Sequence, residues 1–483
     1  MNKNSENTIK PRLFSLVLFI VLFSKLIQGQ DITITIHLRG VYESKISLIP
    51  LTTVKSLKPI SLVENVKNGE TTTLLVSRNN LPGDFVLRFD YKENASSSPY
   101  PSEKRIIIND QDLNLWIHPI YCNNNDSTWF QKDERENTVY VRFFKESSRQ
   151  MEMLGLLQSF LLNYDDTRSG FYRKGIAEYE KRRTNFNQWI AEETKQNRAL
   201  FVSSRFGFNH VPQIKWTGDE SDRKQSLREH YFDGIDFNDT LILKTYKMKE
   251  WMDGYVNLYG ELATSMSLRD SLFTLAGKTA IEKARAGHPM VYGWMVDYFF
   301  NGYENFNIES GIKILQPFLD DPNCLTSKRQ SINRRLKGIE TLVPGTTVPN
   351  IVLQDGQETP FDLYSYKTGK DNILLLFWSA DCSHCIDMVS KLYPWSRQTQ
   401  IQQILDIIAI SVNETDKEIQ TWQQKIKQLT GWIHLYAKEG LNSKVATDYY
   451  ILGIPVMILV NAKTREIIAL PNSTEDLNEI LGL

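Results

Sequence analysis

Two cysteines separated by two residues are the strongest chemical signal in this sequence. Residues 382–385 read Cys-Ser-His-Cys, shortly after an apolar run at 374–378. In a strand–turn–helix setting, this spacing holds the two sulfurs close enough to bond reversibly. It also places Cys382 in the first turn of the helix, where unpaired backbone N–H groups and the helix dipole favour a thiolate. Because the thiolate is the form that attacks disulfides, the pair predicts thiol–disulfide exchange.

The residues on either side of the dithiol predict the elements that position it. The run at 374–378 consists of apolar residues and is typical of a buried strand. Ile386, Val389 and Tyr393 then recur at helical spacing. A helix that packs back on a sheet is therefore predicted after the dithiol.

Two motifs in this region resemble the thioredoxin-fold disulfide oxidoreductases. Residues 377–385, Phe-Trp-Ser-Ala-Asp-Cys-Ser-His-Cys, resemble their active site, and residues 453–456, Gly-Ile-Pro-Val, resemble their proline loop. The resemblance implies that Pro455 is a cis proline opposite the dithiol and that the backbone of Ile454 pairs with an extended substrate segment. It also implies that Trp378, beside the dithiol, helps to bind substrate.

Further features are similar to the periplasmic TlpA/ResA-type branch of these proteins. They include Val-Pro-Gly at 343–345, Val-Pro-Asn at 348–350, Asp-Gly at 355–356, the Leu363 region and the long interval between the dithiol and the proline loop. The resemblance covers residues 341–483. It implies protein disulfides or dithiols as substrates, a membrane electron-transfer partner and no cofactor.

In the implied reaction, Cys382 attacks and Cys385 resolves the mixed disulfide. His384 lies between the cysteines, as a histidine does in DsbA-type oxidants, and would stabilise the Cys382 thiolate, whereas the charge of Asp381 would oppose it. Leu376 occupies the position where thioredoxin has a buried acid, and Val456 the position where some TlpA relatives have glutamate. The direction of electron flow therefore stays open, with a reductant favoured by analogy.

Other kinds of cysteine site fit less well. Haem attachment needs histidine where Ile386 stands, and structural zinc needs a second pair, whereas Cys122 and Cys324 are isolated. Ser379 has the spacing of a peroxiredoxin-type peroxidase, but the proline of that loop is absent. A different class remains open: a binding module, either a Cu(I) chaperone using the two thiols or an adaptor that acts through the preceding 300 or so residues.

Length and composition indicate an exported, multidomain protein. The 483 residues, 41% apolar and 23% charged, suffice for about three domains. A net charge of −1 gives no sign of nucleic-acid binding. Residues 1–30 have a signal-peptide pattern, with Lys10 and Arg12 followed by a run at 13–23 that is apolar except for Ser15. We expect a cleaved signal peptide and a periplasmic location, with a retained N-terminal anchor as the alternative.

Cys122 and Cys324 are expected to be inert buried thiols.

The periodicity of apolar residues divides the rest of the chain into three regions. Residues 31–142 predict an all-β, sandwich-like domain with strands at 32–38, 46–51, 72–76, 85–91, 105–108 and 113–117. The region is similar to a β domain that precedes TlpA-like domains in exported Bacteroidetes-type proteins. Residues 143–338 predict helices, with a polar stretch at 213–233 looping out. Residues 341–483 predict an α/β thioredoxin fold whose sheet is covered on both faces. The elements expected after its active helix are strands at 406–412, 456–460 and 466–470, and helices at 418–429, 443–450 and 474–481.

Overall fold

The computed structural model describes residues 31–51, 58–124, 127–355 and 359–483. The predicted signal peptide at 1–30 and Gly356 of the lead-in lie outside the described residues. The chain divides into two compact units, Met1–Tyr292 and Gly293–Leu483. The region boundaries predicted near 142 and 338–341 stay predictions.

The first unit begins with eight strands among its described residues. They are β1 (Ile32–Leu38), β2 (Glu43–Leu51), β3 (Ser61–Lys67), β4 (Thr71–Val76), β5 (Gly83–Lys92), β6 (Tyr100–Ile108), β7 (Leu113–Ile117) and β8 (Thr128–Phe130). They form two four-stranded sheets in the orders β4-β1-β7-β8 and β3-β2-β5-β6. Every second residue of β1 is buried, as expected of a strand with one face against a core. Buried side chains from both sheets make one apolar core, which confirms the predicted sandwich.

Two strands of the sandwich were not predicted. Strand β3 lies at a sheet edge, and Val66 is the one buried residue in it. Its pairing with β2 shifts register between Ser44 and Ile46, so its apolar residues do not alternate regularly. Strand β8 has three residues, which is too short to produce a periodic pattern.

The helices of the described chain follow the sandwich and continue into the second unit. They are α1 (Glu136–Asn163), α2 (Gly170–Gln196), α3 (Glu220–Glu229), α4 (Lys247–Gly260), α5 (Met266–Arg285), α6 (Pro289–Asn305), α7 (Glu309–Lys313), α8 (Gln316–Leu319), α9 (Arg329–Thr341), α10 (Ser383–Ser396), α11 (Thr399–Ile404), α12 (Asp416–Ile426), α13 (Lys444–Asp448) and α14 (Thr474–Leu481). The helical middle region is confirmed. Within the described residues, none of these helices is long and apolar enough to span a membrane.

The loop predicted at 213–233 is wrong, because helix α3 lies within it. A capping box begins this helix: the Asp219 side chain accepts from the Asp222 N–H, and the Asp222 side chain accepts from the Asp219 N–H. Ser226 is the only buried residue in it, while Trp216 and Phe232 on either side are buried. Because the capping box and the buried residues before and after the helix hold it in place, its own sequence contains no apolar stripe that would predict it.

Buried polar contacts join the sandwich to the helices of the first unit. Arg205 Nη1 donates to Asp84 Oδ1 over 2.8 Å, and both side chains are buried. The Asn137 side chain exchanges two hydrogen bonds of 2.8 Å with the backbone of Ile107. Since a buried ion pair is costly to break, these contacts hold strands and helices together within the unit.

The second unit contains a seven-stranded sheet. Its strands are β9 (Val352–Asp355), β10 (Pro360–Asp362), β11 (Asn372–Trp378), β12 (Leu405–Ser411), β13 (Ile433–Tyr436), β14 (Val456–Asn461) and β15 (Ile467–Ala469). The order is β10-β9-β13-β12-β11-β14-β15. Strand β11 runs parallel to β12 and antiparallel to β14. Its alternate residues enter two separate apolar cores, so the sheet is covered on both faces, as predicted.

All six elements predicted after the active helix are present. The three predicted strands correspond to β12, β14 and β15, and the three predicted helices to α12, α13 and α14. Strands β9, β10 and β13 were not predicted. Each has four residues or fewer, which is below the length at which alternation identifies a strand.

Helix α9 anchors the chain segment that leads to the proline loop. Arg334 in this helix donates from Nη2 to the carbonyl oxygens of Ala446 and Ile451, over 2.5 and 2.7 Å, and from Nη1 to that of Leu441, over 3.4 Å. Gly338, one turn further on, lies against Tyr450: a β-carbon at this position would be 2.8 Å from Tyr450 Cβ. One guanidinium thus satisfies three carbonyls of a segment that ends three residues before Ile454.

Replacing Arg334 with Met should loosen this segment. Three carbonyls would lose a charged donor, and each hydrogen bond to a charged group contributes about 1.5–3 kcal/mol to stability. We expect faster amide hydrogen exchange in 441–451, measured by mass spectrometry on the full chain. Lys337→Met removes the same charge from an exposed position of the same helix and should leave the exchange unchanged. Equal exchange in both variants would show that the carbonyl contacts do not hold the segment.

Candidate active site

The dithiol lies where the central strand meets the helix that follows it. Strand β11 ends at Trp378, helix α10 begins at Ser383, and Cys382 is its N-cap. The Cys382 sulfur accepts a hydrogen bond from the Cys385 N–H over 3.3 Å. Sulfur therefore takes the place of the side-chain oxygen that usually caps a helix. A thiolate there would face the positive end of the helix dipole.

Burial distinguishes the two cysteines. Cys382 is partly exposed, whereas Cys385 is completely buried in the core on one face of the sheet. Burial raises the pKa of the Cys385 thiol well above its usual range, and its hydrogen bond with Cys382 raises it further. Cys382 is thus the accessible sulfur, and Cys385 stays protonated behind it.

The proline loop lies against the dithiol, as expected from the sequence. Strand β14 pairs with β11, with Val456 opposite Phe377. This pairing brings the residues before Val456 close to the end of the active strand. The Ile454–Pro455 peptide bond is cis, and Cys382 Sγ lies 3.9 Å from the Ile454 carbonyl oxygen. The structure therefore brings together Cys382, Cys385, Ile454 and Pro455.

The other residues singled out in the sequence have different surroundings. His384 and Asp381 are exposed. Trp378 has no exposed surface, and its indole N–H has no hydrogen-bond partner among the described residues. Leu376 is also fully buried, in an apolar cluster. Trp378 packs in the same apolar cluster as Ala380 and Cys385, so its side chain offers no surface for a substrate to contact.

Sequence analysis missed a buried polar chain behind the turn. Ser411 Oγ donates to Asn413 Oδ1 over 2.7 Å, and Asn413 Nδ2 donates to Ser379 Oγ over 2.8 Å. All three residues are buried. A signal for it exists, since Ser411 ends an apolar parallel strand and Asn413 follows it by two residues, and the carboxyl ends of parallel strands meet at one sheet edge.

No group of three or more His, Cys, Asp or Glu side chains that could hold a metal is found in the described parts of the chain. Cys122 and Cys324 are buried free thiols. Burial raises the pKa of Cys324, in keeping with the inert role expected for it.

The different burial of the thiols predicts selective alkylation. With limiting iodoacetamide at pH 7, the reduced protein should be modified at Cys382 first, with Cys385, Cys122 and Cys324 largely protected, as read by peptide mass spectrometry. Because the pKa of Cys385 is raised, its modification should increase only as the pH is raised far above neutrality. Cys385→Ser should keep the fast reaction, and Cys382→Ser should lose it. Equal labelling of both cysteines in the native protein would contradict this assignment.

Comparison with known proteins identifies the domain type. The sequence model of a family described as thioredoxin-like matches residues 369–467, which contain both cysteines and Pro455. No curated protein matches the chain.

Several solved structures are similar to parts of the chain. One is a thioredoxin-like protein from Bacteroides caccae, 18% identical, covering 56% of this chain and 97% of its own, with a TM-score of 0.37. Another is the thioredoxin domain of a thiol-disulfide oxidoreductase from Bacteroides vulgatus, 24% identical, with coverages of 29% and 96% and a TM-score of 0.25. A third is a thiol-disulfide oxidoreductase from Bacteroides fragilis, 23% identical, with coverages of 28% and 99% and a TM-score of 0.25. The family match and the sheet that carries the dithiol together identify the C-terminal domain of this chain as thioredoxin-like.

Proposed function

We propose that this protein is a thiol–disulfide oxidoreductase that acts on protein substrates through Cys382 and Cys385. The observation that carries the proposal is the position of Cys382. Its sulfur is partly exposed at a helix N-terminus, 3.3 Å from the Cys385 N–H and 3.9 Å from the Ile454 carbonyl oxygen. The fully buried Cys385 lies behind it. An exposed nucleophile with a protected resolving thiol is what exchange chemistry requires.

In the reductive direction, the Cys382 thiolate attacks one sulfur of the substrate disulfide. The substrate S–S bond breaks, a mixed disulfide forms, and the released substrate thiolate takes a proton from water. Cys385 then loses its proton to water and attacks Cys382 Sγ, so that the Cys382–Cys385 bond forms, the bond between Cys382 and the substrate breaks, and the second substrate thiolate is released and takes a proton from water. Two electrons pass to the substrate, and the dithiol becomes a disulfide. The raised pKa of Cys385 disfavours its ionisation, so we expect this second step to become faster as the pH is raised.

The proline loop gives the substrate a backbone partner. The Ile454 carbonyl faces the Cys382 sulfur, so an extended substrate segment that pairs with the backbone at Ile454 has its cystine beside Cys382. Because main-chain pairing uses backbone groups that every residue has, it allows substrates of many different sequences to bind. We therefore propose that Ile454 and Pro455 bind the substrate backbone. We also propose that His384, which is exposed beside the dithiol, stabilises the charge of the Cys382 thiolate.

We further propose that the protein works outside the cytoplasm, in the periplasm, as a reductant of the TlpA/ResA type. The signal-peptide pattern of residues 1–30 supports export. A protein that donates electrons in an oxidising compartment has to be reduced again, so a membrane electron carrier is its expected partner.

Exchange activity tests the central proposal. The reduced full chain should reduce a protein disulfide such as that of insulin, with dithiothreitol as the electron source. Cys382→Ser should lower the rate to that of dithiothreitol alone. Cys385→Ser, reduced and then freed of dithiothreitol before substrate is added, should accumulate a mixed disulfide with the substrate, visible on a non-reducing gel. Lack of an exchangeable couple would overturn the proposal. In that case, copper retained in stoichiometric amount would indicate a Cu(I) chaperone, and rapid peroxide consumption a peroxidase.

The reduction potential tests the direction of electron flow. We expect a value nearer to about −270 mV, as in thioredoxin, than to about −120 mV, as in DsbA. His384→Gln should lower it by less than about 30 mV, because the exposed ring is screened by solvent. Equilibration of the full chain in glutathione or dithiothreitol buffers measures both values. A potential at the DsbA end that falls strongly in His384→Gln would instead identify a disulfide donor.

A further inference from the structure

The buried polar chain behind the dithiol turn connects two neighbouring strands. Strands β11 and β12 are parallel, with Trp378 opposite Ser411, and the Val412 N–H donates to the Trp378 carbonyl over 3.0 Å. Both strands end here. The residues that follow β12 therefore lie beside the turn that carries Cys382.

Asn413 uses both ends of its side-chain amide at this point. Its Oδ1 accepts from Ser411 Oγ over 2.7 Å. Its Nδ2 donates to Ser379 Oγ over 2.8 Å and lies 3.5 Å from Asp381 Oδ2. The side chain is 1% exposed, so no hydrogen bond to bulk water replaces these contacts. Only a side chain with one acceptor and two N–H donors in this geometry fits all three partners.

Further hydrogen bonds connect the partner of Asn413, Ser379, to the backbone of Cys382. Ser379 Oγ, which accepts from Asn413, also accepts from the Asp381 N–H over 3.2 Å. The Ser379 carbonyl in turn accepts from the Cys382 N–H over 3.4 Å. The same amide therefore orders the backbone of the turn and attracts the carboxylate that directly precedes Cys382.

We propose that Asn413 is a positioning residue for the dithiol: its side-chain amide keeps the Asp381 carboxylate directed toward Asn413, so that the carboxylate charge does not disturb the Cys382 thiolate. The inference rests on the proposed exchange function, which it deepens. It explains how an acidic residue can stand next to a nucleophilic thiolate, because a carboxylate that accepts from an amide is held in one place.

Alkylation of Cys382 tests this role without any substrate. In Asn413→Ala, the Asp381 carboxylate is free to approach the sulfur, and we expect iodoacetamide to react with Cys382 roughly threefold to tenfold more slowly at pH 7 and low ionic strength. The difference should shrink in about 1 M salt. Ser411→Ala is the matched control: it removes a buried hydrogen bond from the same chain but leaves both donations from Asn413 in place. Its alkylation rate should equal that of the wild type.

A double-mutant cycle separates positioning from stability. In an Asp381→Asn background, where no carboxylate is present, Asn413→Ala should have no effect on the alkylation rate. If the rate loss persists in that background, or if Ser411→Ala shows the same loss, Asn413 acts only on general stability and the inference is overturned. If Asn413→Ala does not fold, Asn413→Ser replaces it, because its shorter side chain does not reach Asp381.

The outcomes distinguish this inference from the proposed function. Absence of exchange activity in the wild type, with the alkylation pattern as expected, would overturn the oxidoreductase and leave the positioning of Cys382 standing. Normal exchange activity with alkylation rates equal in the wild type and Asn413→Ala would overturn the positioning alone.

Discussion

The burial of strand β11 on both faces is the constraint on which the redox domain depends. Its residues from Ile373 to Trp378 have no exposed surface, and alternate side chains enter two different cores. A shift of one residue would exchange the two sets of side chains, so the register is strongly specified. The strand therefore ends at one defined point. Cys382, the N-cap of the next helix, and the Ile454 carbonyl, delivered by the paired strand β14, are both placed from that point.

The two cysteines have identical side chains but different surroundings. Cys382 caps the helix and reaches solvent, while Cys385, within the first helical turn, is enclosed by the core. Desolvation keeps a thiol protonated, and a helix N-terminus favours the thiolate. Where thioredoxin has a buried acid, this protein has Leu376 in an apolar cluster. A buried chain of polar side chains lies near the turn instead: Ser379 from the loop after β11, Ser411 at the end of β12, and Asn413 two residues after β12.

The parts of this structure that could be predicted from sequence are those that depend on residues close together in the chain. The apolar run of β11, the dithiol and the proline loop are of this kind, as are the alternation in β1 and the apolar faces of the long helices. Helix α3 could not be predicted, because it is held by a capping box and its flanks. Short strands such as β8 and β10 are specified by their neighbours in the sheet. The contacts of Asn413 and Arg334 join residues far apart in the chain, and pairing at such distances leaves no local pattern.

Helix α9 has a consequence for how such proteins can evolve. The family match covers 369–467, yet Arg334 lies upstream of it and satisfies carbonyls within it. Gene fusion joins domains most readily where the junction is an exposed linker with few contacts across it. Here a helix upstream of the family match holds the segment that leads to the proline loop. A recombination event at the edge of the family match would separate the loop from that support, so the helix and the redox domain should be inherited together.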